Sequence, residues 1–155
     1  LRDPEAIAHW PHSLGRDGAR TPMPWRRNGI NAGFSAAAPW LPVDAAHVPL
    51  AVDTQDHDPD SVLNFSRRTL QLRRSSLALR TGAMEFIDAP DDVLAFSRSA
   101  PGETLVCVFN LAERPADWAP PGMSAANLIT GVGIDESCLP ETLPGCSGYV
   151  ASLQD

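Results

Sequence analysis

The chain has 155 residues, of which 43% are hydrophobic and 20% charged, and its formal net charge is −7. This composition is typical of globular proteins, and the excess of acidic residues argues against nucleic acid, which would favour a basic stripe. Since no apolar run approaches the roughly 20 residues of a membrane-spanning helix, we expect no nucleic-acid partner and no membrane contact.

The first third of the chain is rich in glycine, proline and tryptophan and shows no sustained helical or strand periodicity. His9 and His12 resemble a metal-ligand pair, but Pro11 between them opposes the helix that such a pair would need to converge. We therefore expect no metal site and no cofactor.

The run from Gly15 to Trp25 reads Gly-Arg-Asp-Gly-Ala-Arg-Thr-Pro-Met-Pro-Trp and places Arg16 and Arg20 on the same short segment. Prolines with a fixed φ angle and permissive glycines favour a defined loop here. Guanidinium groups donate hydrogen bonds to hydroxyls, and an indole ring can cover the apolar side of a ring-shaped ligand. The run therefore predicts a pocket for a polyhydroxylated ring such as a sugar.

The run Asp58-Pro-Asp-Ser61 predicts the start of a helix, with Asp58 as the capping residue and Pro59 in the first helical position. Beyond it, apolar residues supply one side of the helix and arginines load the polar side and the end, until two consecutive serines. We expect a helix at about 60–75 with one apolar face.

From Gly82 onward the pattern changes to short apolar or alternating runs, separated by turns rich in proline and glycine. Short runs with such turns favour an antiparallel β-sandwich. The runs cover residues 84–88, 93–97, 105–109, 127–130 and 149–153.

The three cysteines, Cys107, Cys138 and Cys146, do not form a C-x-x-C motif. Cys107 lies in one of the apolar runs, which indicates a small core residue. A disulfide between Cys138 and Cys146 stays open from the sequence, whereas free thiols are typical of cytoplasmic proteins. We favour free thiols and a cytoplasmic location.

Three motifs resemble the late barrel region of α-glucosidases of the oligo-1,6-glucosidase type, which belong to the α-amylase clan. They are Arg20-Thr-Pro-Met-Pro-Trp25, Asn31-Ala-Gly-Phe-Ser35 and Pro39-Trp-Leu-Pro-Val43, in the order and spacing of that family. The resemblance implies that residues 1–79 are the end of a catalytic (β/α)8 barrel and that residues 80–155 form a C-terminal domain. The implied fold class is an α/β barrel remnant followed by an all-β antiparallel sandwich.

The same resemblance implies that the catalytic residues lie outside this chain. Retaining glycosidases use a carboxylate nucleophile and a carboxylic acid about 5–5.5 Å apart. In this family both precede the arginine motif, as does a third aspartate in an Asn-His-Asp motif, and no Asn-His-Asp occurs here. We therefore expect a C-terminal fragment of a retaining, exo-acting α-glucosidase that is inactive alone. Its expected partners are the missing N-terminal barrel and short oligosaccharides such as maltose or isomaltose.

Arg20 is the first candidate for substrate contact, because it matches the family's arginine that pairs with an acidic residue and grips the terminal, non-reducing glucose. The alternative is a structural arginine that ties the loop to backbone carbonyls. Arg16 and Trp25 are secondary candidates for substrate binding. The competing interpretation for Arg16 is a local ion pair or a cap. For Trp25 it is a structural role, in which the indole packs between prolines and holds the loop in place.

Three alternatives to an α-glucosidase stay open. A trehalose synthase or sucrose isomerase uses nearly the same scaffold and motif but rearranges its sugar. The heavy subunits of some amino-acid transporters resemble the fold without catalysis. Residues 80–155 could also be a carbohydrate-binding or structural module, and a structural role is favoured because Trp118 and Tyr149 are the obvious aromatic candidates there.

Overall fold

The structure is a computed structural model that describes residues 2–13, 15–123, 126–135 and 137–153. Its internal contacts divide the chain into two compact units, residues 1–69 and 70–155. The dividing point lies within a helix, and the domain boundary expected between residues 79 and 80 stays a prediction.

The first unit consists of short helical segments joined by loops, in agreement with the lack of periodicity in this part of the sequence. Helix α1 is followed by three single 3₁₀ turns, the short helix α2 and the first part of α3. The bounds are α1 Pro4–His9, 3₁₀ turns Asp17–Arg20, Ile30–Gly33 and Val48–Leu50, α2 Val52–Asp56 and α3 Val62–Ser75.

The loop that contains Trp25 is held by backbone hydrogen bonds. The N–H groups of Trp25 and Arg26 both donate to the carbonyl of Ala32, at 2.8 and 2.9 Å. Ala32 has a φ of 51°, in the left-handed region that non-glycine residues seldom occupy. On the other side, the N–H of Val52 donates to the carbonyl of Pro24 at 3.0 Å. These bonds support the prediction that the glycine- and proline-rich segment is a defined loop.

Helix α3 begins two residues later than the sequence indicated, and its cap is not Asp58. The carboxylate of Asp58 accepts the N–H of Asp60 at 3.0 Å, which closes a turn before the helix. The hydroxyl of Ser61 accepts the N–H of Asn64 at 3.2 Å, so Ser61 is the N-cap. The prediction that Asp58 caps this helix was therefore wrong, whereas the predicted end at residue 75 agrees with the structure.

A polar network fixes the start of α3 against α2. The backbone carbonyl of Gln55 accepts both the Ser61 hydroxyl, at 2.7 Å, and the Asn64 side-chain amide, at 3.0 Å. No residue of α3 is buried, and the side chain of Val62 is 74% exposed. Among the described residues, the apolar side of this helix is therefore at most partly covered.

The second unit is built around one antiparallel sheet of five strands in the order β1-β2-β3-β5-β4. Each of the five apolar runs overlaps one strand, which confirms the prediction of an antiparallel β domain. The second sheet of a sandwich and the barrel remnant stay predictions. The bounds are α4 Leu77–Thr81, β1 Ala83–Phe86, β2 Val93–Ala100, β3 Glu103–Asn110, β4 Ala126–Val132 and β5 Ser147–Leu153.

One face of the sheet carries the core of this unit. Ala95, Val108 and Tyr149 are cross-strand partners on β2, β3 and β5, and all three are buried. Trp118 packs against the same cluster from a loop. Tyr149 is therefore part of the core and Trp118 is partly buried against it, which supports a structural role for this unit.

The opposite face of the sheet carries a row of phenylalanines that the sequence analysis missed. The rings of Phe86 and Phe96 meet edge to face with centroids 6.5 Å apart, and those of Phe96 and Phe109 lie 6.3 Å apart. Phe86 is 72% exposed. Cys107 lies on the same face of β3 and is buried, which confirms the prediction of a small buried residue, although it lies outside the cluster on the other face. Cys138 and Cys146 are exposed free thiols.

Candidate functional site

The candidate site is centred on Asp3, at the N-terminus of α1. Its side chain has 0% solvent exposure. One carboxylate oxygen, Oδ1, accepts the N–H of Glu5 at 3.0 Å and so caps the helix, which continues with Pro4 in the first position. The other oxygen, Oδ2, accepts the backbone N–H of Arg16 at 3.0 Å. A single buried carboxylate thus joins the start of α1 to the arginine loop.

The two arginines predicted to form the site meet at this carboxylate. Nε of Arg16 lies 3.2 Å from Oδ2 of Asp3, and Nη1 of Arg20 lies 3.5 Å from the same oxygen. The arginine side chains are 63% and 39% exposed, so both guanidinium groups reach from a buried anchor to the surface. Among the described residues, neither guanidinium has a second partner, and both keep N–H donors for a ligand.

Asp17, next to Arg16 on the loop, contacts the segment that carries Asp3 in return. Its Oδ2 accepts the backbone N–H groups of Arg2, at 2.5 Å, and of Asp3, at 3.2 Å. Its Oδ1 is buried and without a hydrogen-bond partner in the described part of the chain. We call Asp3, Arg16, Asp17 and Arg20 the Asp3 cluster. Two carboxylates balance two guanidiniums, so the cluster as a whole suits a ligand without charge.

Gly15 allows the arginine loop to approach Asp3 closely. Its φ is +61°, and a Cβ atom at this position would lie 2.6 Å from the Cβ of Ala6 and 3.0 Å from the Cβ of Asp3. Real Cβ atoms do not approach so closely, and the neighbours are packed parts of short side chains. A side chain at position 15 would therefore displace the carboxylate or the loop.

Hydrogen bonding determines the ionisation of Asp3. The backbone N–H of Arg16 is the main cause that lowers the pKa of Asp3, followed by the N–H of Glu5, and the guanidinium of Arg16 contributes as well. Burial acts in the opposite direction but does not outweigh these bonds. Asp3 is therefore a carboxylate at neutral pH, and it holds the arginines as a charged acceptor.

The remaining candidates do not join the cluster. Trp25 is half exposed, and among the described residues no hydrogen bond, ion pair or ring contact joins it to Arg16 or Arg20. Nδ1 of His9 lies 3.0 Å from the carbonyl of Glu5. Within the described ranges, no group of three or more His, Cys, Asp and Glu side chains could hold a metal ion.

Sequence analysis missed Asp3, although a signal was present. Asp3-Pro-Glu5 is an N-cap pattern, with an oxygen-bearing side chain, a proline and an acidic first turn. Nothing in the sequence indicates that the same carboxylate would also contact residues 16 and 20, because loop contacts follow no period.

In the part of the chain described, no helix is both long and apolar enough to cross a bilayer.

Comparison with known families and proteins gives consistent matches. The model of the alpha-amylase catalytic domain matches residues 1–82. A "Probable alpha-glucosidase" of Rhizobium meliloti (strain 1021) is 44% identical over 155 residues, which is 99% of this chain and 28% of the relative. An "Oligo-1,6-glucosidase" of Parageobacillus thermoglucosidasius is 32% identical over 113 residues, which is 72% of this chain and 20% of that protein.

Solved structures resemble the chain over nearly its whole length. The structure of an alpha-glucosyl transfer enzyme matches with a TM-score of 0.82 and 38% identity, over 99% of this chain and 29% of that one. An isomaltulose synthase mutant from Erwinia rhapontici NX5 matches with a TM-score of 0.76 and 26% identity, over 90% of this chain and 26% of that one. The chain spans less than a third of the length of each of these relatives.

Proposed function

Because the chain belongs to the α-amylase family, we propose that it is the C-terminal part of a retaining, exo-acting α-glucosidase. The whole enzyme releases terminal α-glucose from short oligosaccharides such as maltose and isomaltose. A carboxylate attacks the anomeric carbon while a carboxylic acid protonates the leaving oxygen, and water then hydrolyses the glycosyl-enzyme. Both catalytic groups come from parts of the polypeptide that precede this chain, which is inactive alone.

The observation that carries the proposal is the pair of exposed guanidinium groups on the family motif, anchored by Asp3. Arg20 donates hydrogen bonds to hydroxyls of the terminal glucose, and its attachment to a fixed carboxylate keeps its planar fork in one orientation. Arg16 is the second donor on the same anchor. Trp25, half exposed on the loop that follows, covers the apolar side of the sugar.

The exposed apolar surfaces support the proposed place of this chain in a longer protein. Helix α3 buries none of its residues, and Phe86 stands at the open end of the phenylalanine row on the sheet. Exposed apolar area of this kind is usually covered by a partner. We assign residues 1–79 to the end of the barrel and residues 80–155 to a structural β-sandwich domain. We also propose that the protein is located in the cytoplasm.

The second candidate function is isomerisation of a disaccharide. It is favoured by a specific observation, the TM-scores of 0.76 to structures of a trehalulose synthase and of an isomaltulose synthase. Hydrolysis and isomerisation share the glycosyl-enzyme step and differ in the acceptor that attacks it, which is water in hydrolysis. Product analysis therefore separates the two functions.

The test uses the full-length polypeptide that contains this chain, incubated with p-nitrophenyl α-glucoside, maltose, isomaltose and sucrose. Release of glucose, first as the α-anomer, is the expected result. A rearranged disaccharide from sucrose would shift the assignment to an isomerase. A folded protein without turnover on any of the four would contradict both enzymatic functions and favour a non-catalytic member of the family.

A further inference from the structure

The loop that follows Trp25 turns at Asn28-Gly29, the only asparagine–glycine step in the sequence. Asn28 is exposed, and its side-chain amide has no hydrogen-bond partner among the described residues. Within the same ranges, the N–H of Gly29 has one acceptor, the carbonyl of Arg26 at 3.5 Å, which is longer than an ordinary hydrogen bond. The amide carbon of Asn28 and the nitrogen of Gly29 are therefore neighbours that little else holds in place.

The other asparagines of the chain are protected by comparison. The side-chain amide of Asn31 donates to two backbone carbonyls, at 2.8 and 2.9 Å. The amides of Asn64 and Asn110 each donate to three backbone carbonyls. These three and Asn127 are followed by alanine, phenylalanine or leucine, whose side chains shield the next backbone nitrogen. Glycine has no side chain and leaves that nitrogen accessible.

The loop itself requires glycine at position 29. A Cβ atom there would lie 2.9 Å from the backbone nitrogen of Gly33 and 3.3 Å from the Cβ of Arg26. The backbone cannot yield easily, because the N–H groups of Trp25 and Arg26 both donate to the carbonyl of Ala32 and close the loop. The accessible nitrogen next to Asn28 is thus a consequence of how tightly this loop closes.

We propose that Asn28 is a site of spontaneous deamidation. The backbone nitrogen of Gly29 attacks Cγ of Asn28, so that a nitrogen–carbon bond forms and the bond from Cγ to Nδ2 breaks. Ammonia leaves with the proton of the Gly29 N–H, and a five-membered succinimide ring remains. Water then opens the ring at either carbonyl. One opening gives aspartate, and the other gives isoaspartate, in which the main chain runs through Cγ.

Two arginines beside Asn28 favour this reaction. Arg26 and Arg27 are exposed, and neither guanidinium has a partner in the described part of the chain. A nearby positive charge favours the deprotonated backbone nitrogen, which is the form that attacks. The same charges attract the carboxylate that the reaction produces. Deamidation at this position therefore replaces a neutral loop tip with an anion next to two cations.

The isoaspartate product acts on the bonds that hold the loop. It adds one carbon atom to the backbone between Arg27 and Gly29, which lengthens the path by about 1.5 Å. On one side, the N–H of Arg27 donates to both carboxylate oxygens of Asp53, at 3.0 and 3.1 Å. On the other side lies Ala32, whose carbonyl closes the loop. The extra atom lies between these two anchors, and the bonds at Ala32 should open.

The test uses the full-length polypeptide, incubated folded at neutral and at mildly alkaline pH in water labelled with heavy oxygen. Peptide mapping by mass spectrometry then follows Asn28, with Asn31 as the internal control. Asn28→Gln is the matched variant, because it keeps the amide but its longer side chain cannot form the five-membered ring. The wild type unfolded in urea shows how fast the same step reacts without the fold.

In the folded wild type, Asn28 should gain about 1 Da beyond the label and yield both aspartate and isoaspartate. The conversion should be at least about tenfold faster than at Asn31, whose amide must first break two hydrogen bonds. It should also be faster at alkaline pH, since the deprotonated nitrogen attacks. After this incubation, hydrogen exchange at Trp25 and Arg26 should be faster in the wild type than in Asn28→Gln.

A folded protein in which Asn28 reacts as slowly as Asn31 would overturn the inference. Rapid reaction in the unfolded protein alone would overturn it as well, because the fold would then protect the step. Conversion without faster exchange at Trp25 and Arg26 would overturn the effect on the loop. None of these measurements involves turnover of a sugar, so they stand apart from the proposed function.

Discussion

Asn110, at the end of β3, offers a test of how the second unit is held together. The residue is 2% exposed, and its side-chain amide donates to the carbonyls of Arg114, Leu143 and Pro144 at 2.8, 3.3 and 3.0 Å. Its Oδ1 accepts the N–H of Ala112 at 3.0 Å. Asn110→Ala removes all four bonds at once.

The remaining partners determine the size of the effect. The carbonyl of Leu143 keeps the N–H of Ala116, and the carbonyl of Pro144 keeps the hydroxyl of Ser147. The carbonyl of Arg114 and the N–H of Ala112 lose the partner that Asn110 supplied. Each unsatisfied group costs about 1–3 kcal/mol, and water can reach this loop in part. We therefore expect a loss of about 2–3 kcal/mol in the free energy of local unfolding.

Hydrogen exchange on the full-length polypeptide measures this loss. In peptides from β3 and β5, Asn110→Ala should speed amide exchange by about 10²-fold, because each 1.4 kcal/mol or so corresponds to tenfold. Asn127→Ala is the control, since Asn127 is exposed on β4 of the same sheet and should change the free energy by less than about 0.5 kcal/mol. Equal exchange rates in the two variants would refute the reasoning.

Three further predictions follow from local features. Cys107 is 3% exposed and burial raises its pKa to about 11, so iodoacetamide at about pH 8 should label Cys138 and Cys146 but leave Cys107 unmodified, as peptide mapping would show. The pKa of Asp3 is lowered in the folded state, so its contribution to stability is present above its ordinary pKa and is lost as the pH falls through the folded-state pKa. The melting temperature should therefore fall more steeply below about pH 4 in the wild type than in Asp3→Asn. Parallel melting curves for the two proteins would contradict this prediction. Ser61→Ala removes the N-cap of α3 and should cost about 1 kcal/mol, seen as faster exchange in the first turn of the helix, whereas unchanged exchange would show that the cap is unimportant.

The strands of the second unit could be predicted from the sequence because their signal is local. An apolar run of about five residues between turns indicates a strand whatever its partners are. The order of the strands could not be predicted in the same way. Phe86, Phe96 and Phe109 form one row only because β1, β2 and β3 pair in a particular register, and that register depends on contacts distant in sequence.

The two aspartate–proline steps show the limit of local reasoning about helix starts. Asp3 precedes Pro4 and Asp58 precedes Pro59, and both carboxylates accept the N–H two residues ahead, at 3.0 Å. Only the first step opens a helix directly, because Gln55 binds the hydroxyl of Ser61 and the start of α3 is shifted to that residue. The local pattern is the same, and a tertiary contact makes the difference.

For the candidate site, the sequence indicated the loop and its two arginines but not their common anchor. A motif of glycines, prolines and arginines is recognisable by composition. The contacts of Asp3 with Arg16 and Arg20 depend on how the loop folds back onto the start of α1, and Gly15 permits this close approach. The ligand roles of Arg20, Arg16 and Trp25 are proposals that kinetics can test.

The most direct test of the account compares glucose release from isomaltose by the full-length enzyme with that by two arginine variants. Arg20→Ala removes the proposed sugar-binding guanidinium, and Arg67→Ala removes one whose partner is the exposed carboxylate of Asp56. The account predicts that kcat/KM falls by about 100-fold for Arg20→Ala and by less than about twofold for Arg67→Ala. An Arg20→Ala enzyme as active as the wild type would contradict the claim that this chain supplies the arginine for the terminal glucose.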